Sequence, residues 1–167
     1  GGSGVMGYKA MNSTPGVGVR YLVALYDLGS GALLAQIDAD WLTAQRTAAT
    51  GALATDILAN PVIASCGVLG SSDQSRTLLA SVASIRRPGQ IKVFSPTAEN
   101  RNRFAAEMEA ILDVNVIPVD SAQDAVEGCD LVLSAFRADS TPVISANWIA
   151  PGSHLNACSS ILPDARE

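Results

Sequence analysis

The chain has 167 residues, of which 48% are hydrophobic and 16% are charged. This composition suits one domain, or one domain plus part of another, and it excludes a disordered chain. The net charge of −5 argues against nucleic acid as the main partner, because phosphate binding needs a basic surface. No apolar run approaches the roughly 20 residues of a membrane helix. We therefore expect a cytoplasmic protein with neither a nucleic-acid nor a membrane partner.

The first third of the chain predicts a hairpin followed by a helix. Residues 1–18 are rich in glycine and small residues. Residues 20–27 and 32–39 are β-like apolar runs, and the small residues between them predict a turn. A helix is expected to begin at Asp40 or Thr43 and to run to about Leu58, before Asn60-Pro61.

Beyond residue 61, strand and helix patterns alternate. The predicted strands are 62–69, 90–95, 114–119, 130–136 and 153–158. The predicted helices are 72–85, 97–112 and a short one capped by Ser121. This rhythm predicts an α/β fold, a Rossmann-like doubly wound parallel sheet in which strand 62–69 lies between 90–95 and 130–136. We therefore expect a boundary near residue 60, between a hairpin-and-helix segment over residues 1–60 and a dinucleotide-binding domain over 61–167.

The turn after strand 62–69 is the candidate cofactor loop. Its sequence is Gly70-Ser71-Ser72-Asp73-Gln74-Ser75, where the usual dinucleotide fingerprint is G-x-G-x-x-G. Only the first glycine is present, so an ordinary strand–turn–helix without a cofactor remains equally open. Ligands in such sheets bind at the carboxyl ends of the strands. The candidate cofactor-binding residues are therefore Gly70, Ser71, Ser72, Asp73, Gln74, Ser95, Thr97, Ala135, Phe136 and Ser159.

The end of the second strand bears on the choice of cofactor. An acid there usually binds the ribose hydroxyls of NAD, but this chain has Ser95-Pro96-Thr97. Arg101 and Arg103 follow one helical turn later. The pattern favours NADP, or no cofactor, and predicts weak binding that is no tighter for NAD than for NADP. The hydroxyl of Ser72 either donates to a phosphate or blocks its approach, and Asp73 is expected to point away and stabilise the helix N-terminus.

Arg46 stands out on the first predicted helix. It shares one helix face with Leu42, Ala49, Leu53 and Ile57, so we expect it to be drawn out of bulk water. A guanidinium keeps its proton, and its burial demands an anionic partner. Either Arg46 reaches the rim or a distant carboxylate, or it binds a substrate carboxylate through two parallel hydrogen bonds.

The cysteines and the single histidine offer little chemistry. Cys66, Cys129 and Cys158 each lie in or beside an apolar run, which is typical of reduced core residues. His154 is the only histidine, and no spacing suggests a metal site. We expect no metal, and neither a Ser/His triad nor a His-based metal centre.

Several stretches follow one another along the chain: the hairpin at 25–35, LTAQRTAA at 42–49, the turn with Gln74, GCDLV at 128–132 and PGSHLNA at 151–157. In this order they resemble the ornithine cyclodeaminase/mu-crystallin family. The strongest is LTAQRTAA at residues 42–49, which resembles the family's L-T-x-x-R-T-A-A. It follows a hairpin similar to the family's L-x-D-x-x-T-G-x-x-L-A segment. The turn with Gln74 resembles G-x-G-x-Q. Further matches are GCDLV at 128–132 for G-A-D-I-V, PGSHLNA at 151–157 for P-G-T-H-I-N-A, and RE at 166–167.

The resemblance implies a cofactor, a substrate class and residue roles. Family members bind NAD or NADP on a Rossmann half, take a small amino or imino acid, and commonly dimerise through the other half. By this resemblance, residues 1–60 would be a partial substrate and dimerisation segment, and residues 61–167 the NAD(P)-binding Rossmann domain. Arg46 matches the arginine that binds the substrate carboxylate. Lys9, in Gly7-Tyr8-Lys9, matches a lysine near the reacting carbon that assists proton transfer. Members are about twice this length, so we expect strands before this sequence and helices after it to complete the substrate domain.

The sequence as a whole favours an NAD(P)-dependent ketimine reductase or amino-acid dehydrogenase, with Arg46 and Lys9 binding the substrate and Lys9 as the catalytic acid or base. One alternative is a non-catalytic or truncated homologue that keeps the fold and binds without turnover. The other is an ornithine cyclodeaminase, although Ile161 stands where cyclodeaminases carry an acid. We also expect a homodimer or higher homo-oligomer, since the apolar hairpin 20–39 lacks strands to cover it.

Overall fold

The computed structural model describes residues 4–136 and 143–158. It divides into two compact units, Gly1–Arg46 and Thr47–Glu167, with the division inside helix α1 (Asp40–Leu58). Among the described residues no helix is both long and apolar enough to cross a membrane. Each unit has its own sheet, and the two are described separately.

The first unit is built on a three-stranded antiparallel sheet in the order β1-β2-β3. Its strands are β1 (Val5–Thr14), β2 (Gly18–Asp27) and β3 (Leu33–Asp38). The turn between β2 and β3 is held by Asp27, whose Oδ1 accepts hydrogen bonds from the Ser30 amide and hydroxyl, both at 2.7 Å. These bonds lower the pKa of the Asp27 carboxyl. The predicted hairpin is therefore present.

Strand β1 lies in the glycine-rich segment for which the sequence predicted no element. It pairs along its whole length with β2, from Val5 opposite Asp27 to Thr14 opposite Gly18. Strand formation there depends on this cross-strand pairing rather than on local propensity, which is weak in a segment of small residues. A single-sequence pattern search misses such a strand for that reason.

Helix α1 begins at Asp40, the earlier of the two predicted starts. The amide of Asp40 donates to Asp38 Oδ1 at 3.1 Å. The Asp40 carboxylate accepts from Arg20 Nη1 at 2.6 Å and from the Tyr21 amide at 2.7 Å. The hydrogen bond from Arg20 lowers the pKa of the Asp40 carboxyl. Asp40 thus joins the start of the helix to strand β2.

The second unit is a parallel sheet in the order β6-β5-β4-β7-β8. Its strands are β4 (Ser65–Leu69), β5 (Gln90–Phe94), β6 (Val116–Pro118), β7 (Leu131–Ser134) and β8 (His154–Ala157). Its further helices are α2 (Asp73–Ile85), α3 (Ala98–Leu112), the short α4 (Ala122–Val126) and a 3-10 turn at Ala146–Trp148. The predicted doubly wound α/β fold is confirmed, and so is the central place of β4 between β5 and β7.

Strand β4 is shorter than the predicted run 62–69. Sheet pairing starts at Ser65, opposite Gln90, whereas Val62 is 76% exposed. Val62 is apolar and follows Pro61, so the sequence pattern placed it in the strand. In the structure it lies before the first residue of β4 that pairs with β5. Inside the strand, a Cβ on Gly67 would lie 2.2 Å from the Ala125 carbonyl oxygen, so glycine lets α4 pack directly on β4.

The core of the second unit lies between this sheet and its helices. Its largest fully buried side chains are Phe104, Leu69, Leu78, Leu79, Ile91, Met108, Leu131, Leu133, Val68, Val82, Val93 and Val126. Burial of a Leu or Phe side chain stabilises a fold by about 1.5–3 kcal/mol. The core therefore holds the carboxyl ends of β4, β5 and β7 in place beside one another.

Candidate functional site

The turn between β4 and α2 depends on one glycine. Gly70 has a φ of 103°, and a Cβ there would lie 2.8 Å from the Ala135 carbonyl oxygen. Its amide donates to the Phe94 oxygen at 2.9 Å, and the Ala135 amide donates to the Leu69 oxygen at 3.0 Å. Gly70 thus brings the ends of three strands together, which explains why the first glycine of the fingerprint is the one retained.

Two serines occupy the other glycine positions of the fingerprint, and their side chains form hydrogen bonds within the protein. Ser72 has an extended backbone (φ −76°, ψ 170°), so no glycine is required there for conformational reasons. Its Oγ accepts the Ser75 amide at 3.2 Å, capping α2, and lies 3.1 Å from the Ala135 oxygen. The Ser75 hydroxyl, which is buried, also donates to Ala135 at 3.1 Å. The two hydroxyls therefore fasten the turn to the end of β7.

Asp73 points away from the turn, as expected. Its side chain is fully exposed, and its Oδ1 lies 3.8 Å from Arg76 Nη1. A carboxylate in the first turn of a helix favours the helix dipole, and here it does so without entering the loop. Gln74 is half-buried. Neither Asp73 nor Gln74 lines the pocket at the carboxyl ends of β4, β5 and β7.

An open pocket of about 370 Å³ lies at the carboxyl ends of β4, β5 and β7. Seven of the ten predicted cofactor residues line it: Gly70, Ser71, Ser72, Ser95, Thr97, Ala135 and Phe136. Ser71 and Ser95 are linked by a hydroxyl–hydroxyl hydrogen bond of 3.1 Å. The structure thus brings together residues that are up to 66 positions apart in sequence, at the edge where doubly wound sheets bind ligands. Ser159 lies outside the described residues, as does Ile161.

Three lining residues were not among the predicted site residues: Pro96, Asn100 and Arg103. Asn100 and Arg103 follow Thr97 at intervals of three, so they share the face of α3 that begins at the pocket. The sequence would have predicted both residues from this helical spacing, once Thr97 was taken as a site residue. Arg103 is the only charged residue among those that line the pocket in the described part of the chain.

Arg101 and Arg103 differ in how they are held. Arg101, whose side chain is 13% exposed, pairs with Asp120 and donates to the Ser95 oxygen at 3.3 Å. Arg103 is 58% exposed; its Nη2 donates to Asn100 Oδ1 at 3.0 Å, and its Nε lies 4.0 Å from Glu107. Arg101 therefore fixes the β5–α3 loop, whereas Arg103 extends along the pocket rim.

The prediction that Arg46 is buried on an apolar helix face was wrong. Arg46 is exposed, and its neighbours on that face are exposed too: Leu42 by 43%, Leu53 by 60% and Ile57 by 70%. Arg46 does take part in an interaction within the structure. The argument that a buried charge needs a ligand as its partner therefore does not apply to this chain.

Beyond Arg46, helix α1 buries its small residues instead. A Cβ on Gly51 would lie 2.6 Å from Leu78 Cδ1, and the Gly51 oxygen accepts from Asn156 Nδ2 at 2.6 Å. Ala48 and Ala52 are buried, and Thr55 Oγ1 accepts from the same Asn156 amide at 3.0 Å. The helix comes too close for large side chains. The sequence pattern of large apolar residues therefore predicted the exposed face of α1 as the buried one.

Lys9 lies on β1 and is exposed. Its Nζ is 4.6 Å from the centre of the Tyr21 ring on β2. The two side chains share one face of the sheet, because Lys9 is opposite Val23 and Met11 is opposite Tyr21. A cation over the face of an aromatic ring is attracted electrostatically to that ring, so the contact positions the Lys9 ammonium group. Lys9 and Arg46 belong to the first unit, and the pocket belongs to the second.

The remaining titratable groups of note lie away from the pocket lining. Cys66 and Cys129 are buried free thiols, and burial raises the pKa of both. Burial lowers the pKa of His154, whose Nε2 has no hydrogen-bond partner among the described residues. In residues 4–136 and 143–158, no three His, Cys, Asp or Glu side chains form a group that could hold a metal ion.

Comparison with known proteins places this architecture in a family. The ornithine cyclodeaminase/mu-crystallin family matches residues 4–167. The chain is 31% identical to the ketimine reductase mu-crystallin of Mus musculus over 160 residues, covering 96% of this chain and 50% of that protein.

Solved structures of similar proteins share the fold. One is Thermococcus litoralis Δ1-pyrroline-2-carboxylate reductase in complex with NADH and L-proline (TM-score 0.88, 32% identity, 96% of this chain and 51% of that chain). Another is an archaeal alanine dehydrogenase dimer with bound NAD (TM-score 0.84, 26% identity, 92% and 48%). The chain spans about half the length of the curated relatives it matches. The chain belongs to the ornithine cyclodeaminase/mu-crystallin family.

Proposed function

We propose that this chain is part of an NAD(P)-dependent oxidoreductase that acts on a small imino or amino acid, as a ketimine reductase or amino-acid dehydrogenase. The observation that carries the proposal is the pocket at the ends of β4, β5 and β7, which gathers seven of the predicted cofactor residues in a chain of this family. Relatives named as ketimine reductase, pyrroline-carboxylate reductase and alanine dehydrogenase support the same reaction class.

The pocket fits the adenosine and pyrophosphate part of a dinucleotide. Gly70 lets the backbone turn close to the sheet end, and α2 begins directly after it, with its N-terminal amides near the pocket. Asp73 keeps its charge outside, so it does not repel a pyrophosphate at short range. Solved relatives carry NADH or NAD. The residues of the second unit would therefore hold NAD or NADP.

The first unit would supply the substrate-binding groups, and we propose that this substrate and dimerisation segment extends to about residue 60. Arg46 would bind the substrate carboxylate, because a guanidinium fork matches its two oxygens. Lys9 would hold or deliver the proton at the imine or amine nitrogen, next to the carbon that exchanges the hydride. A reduced nicotinamide, when bound, supplies the hydride. Tyr21 would orient Lys9 through the ring contact at 4.6 Å.

The test is a reductase assay with Δ1-pyrroline-2-carboxylate, or with pyruvate plus ammonia, following loss of the reduced nicotinamide. Arg46→Met should raise KM for the imino acid by roughly tenfold or more, as for the loss of a charge-assisted pair. Because Arg46 is exposed, the melting temperature of the Arg46→Met variant should stay near that of the parent chain. Lys9→Met should lower kcat by about a hundredfold. A matched control is Arg20→Met, which removes an exposed arginine of the same unit.

Absence of turnover together with tight imino-acid and dinucleotide binding would favour the second candidate, a binding homologue without catalysis. The observation behind that candidate is that serines stand at two glycine positions of the fingerprint and form hydrogen bonds to Ala135 within the fold. Release of ammonia from ornithine would instead favour a cyclodeaminase. A large fall in melting temperature for Arg46→Met with unchanged KM would show that Arg46 is structural.

A further inference from the structure

The rim of the pocket beside β5 carries a positive charge and no carboxylate. Ser95, Thr97, Asn100 and Arg103 lie there, and none of the residues lining the pocket in the described part of the chain is Asp or Glu. In dinucleotide-binding sheets an acid at the end of the second strand binds the ribose hydroxyls of NAD, and a nearby arginine accommodates the 2′-phosphate of NADP. The charge at this rim is therefore suited to a phosphate rather than to a diol.

We propose that Arg103 binds the 2′-phosphate of NADP and makes this chain select NADP over NAD. The inference rests on the proposed function, because it assumes that the pocket holds the adenosine part of a dinucleotide. It goes beyond that function in naming the cofactor and the residue that selects it.

Arg103, and not Arg101, is the arginine suited to this role. Arg101 is largely buried, pairs with Asp120 and donates to the Ser95 oxygen, so moving it would undo the β5–α3 loop. Arg103 is 58% exposed and contacts the neutral Asn100 amide oxygen at 3.0 Å. A phosphate dianion binds a guanidinium more strongly than a neutral amide does.

Glu107 is the competing anion, and another arginine holds it. Arg76 donates from Nε to Glu107 Oε2 at 2.8 Å, and its Nη2 lies 2.7 Å from the same oxygen. Arg103 Nε reaches Oε1 only at 4.0 Å, the outer limit of an ion pair. Since Arg76 is mostly buried and stacks on Phe104 at 5.2 Å, it keeps Glu107 in place. Arg103 can therefore turn to a phosphate without leaving Glu107 unpaired.

Thr97 completes the subsite. It stands at the N-cap of α3, yet its side chain makes no capping hydrogen bond to the helix. Thr97 is exposed and lines the pocket together with Asn100, which follows it by three residues on α3. An aspartate at this position would cap α3 well, so the helix itself does not oppose an acid there. That property makes Thr97 a site where cofactor preference can be reversed without disturbing the fold.

The experiment is a fluorescence titration of the chain with NADPH and with NADH, together with the thermal shift caused by adenosine 2′,5′-bisphosphate and by 5′-AMP. NADPH should bind at least tenfold more tightly than NADH, and the bisphosphate should give the larger thermal shift. Arg103→Met should weaken NADPH roughly ten- to hundredfold and leave NADH unchanged, as for a hydrogen-bonded charge. Thr97→Asp should weaken NADPH and strengthen NADH.

The matched control is Arg87→Met, since Arg87 is 56% exposed and lies at the amino end of β5, away from the pocket. Its NADPH affinity should equal that of the parent chain, which excludes a general effect of net charge. Equal binding of NADPH and NADH, or an equal loss of both in Arg103→Met, would overturn the inference and leave the proposed function standing. Failure of both dinucleotides to bind would overturn both.

Discussion

The two units of this chain differ in how they use their apolar residues. In the described part of the first unit the buried residues are Ala24, Ala39 and Thr43. Most of its large apolar side chains are exposed, namely Val5, Met6, Tyr8, Met11, Val17, Val19, Leu22, Leu28, Leu33, Leu34, Ile37, Trp41 and Leu42. The second unit encloses a continuous core of Leu, Val, Ile, Phe and Met around β4.

This difference separates two sources of stability. The second unit has the burial that an independent fold needs, because its sheet is covered by helices. The first unit keeps its shape through backbone pairing and turn hydrogen bonds, and a three-stranded sheet needs a packed hydrophobic face to be stable by itself in water. A sheet with so much exposed apolar surface is expected to be covered by another surface. The candidate cofactor pocket thus lies in the unit that has the larger hydrophobic core.

The largest expected effect comes from the same substitution made in each unit. Leu79→Ala removes a fully buried side chain and should lower the free energy of unfolding by about 2–5 kcal/mol. Leu34→Ala changes a residue that is 55% exposed on β3 and should cost about 0.5 kcal/mol or less. Urea unfolding of both variants checks this. Equal losses would mean that the first unit has a core of its own in solution.

The next effect concerns self-association, which we expect at micromolar concentration. Met11→Glu places a charge on β1, where the side chain is 66% exposed, and should weaken association by roughly tenfold or more. Ile111→Glu makes the same change at 68% exposure on α3 of the second unit and should leave association unchanged. Light scattering during size-exclusion chromatography measures both. A clean monomer for the parent chain would contradict the prediction.

The smallest effect is a pH dependence confined to the second unit. Burial lowers the pKa of His154 below its ordinary 6.5, so the unfolded chain binds the proton more readily than the folded one. The free energy of unfolding should therefore fall as pH drops through 6.5 towards the folded pKa, and stay level with respect to this group below it. His154→Gln should flatten that segment of the curve.

Because His154 is the only histidine, other groups contribute little in that window. Asp27 and Asp40 have pKa values lowered by their hydrogen bonds, so they titrate further towards acid. Chemical denaturation at several pH values measures the effect. A curve that is identical for the parent and the His154→Gln chain would rule out His154 as its source.

Much of the second unit was predictable from local patterns. Alternating apolar runs and helix caps predicted the parallel sheet with β4 between β5 and β7, and Ser121 does cap α4 by accepting the Asp124 amide at 3.0 Å. The residues after β4, β5 and β7 predicted most of the pocket, because parallel strands carry their carboxyl ends to one edge. To predict that Arg103 lines the pocket, the helical spacing from Thr97 would have been needed as well.

What the sequence determined by itself is the βα order, the family and the positions of the strand ends, since these follow from periodicity, caps and motif spacing. Tertiary structure alone decided that β1 is a strand, that the serines of the turn bond to Ala135, and which face of α1 is buried. Each of these depends on a partner distant in sequence. Close approach at Gly51 buries the small face of α1 and leaves Arg46 with the large apolar residues in solvent, and no local pattern contains that distance.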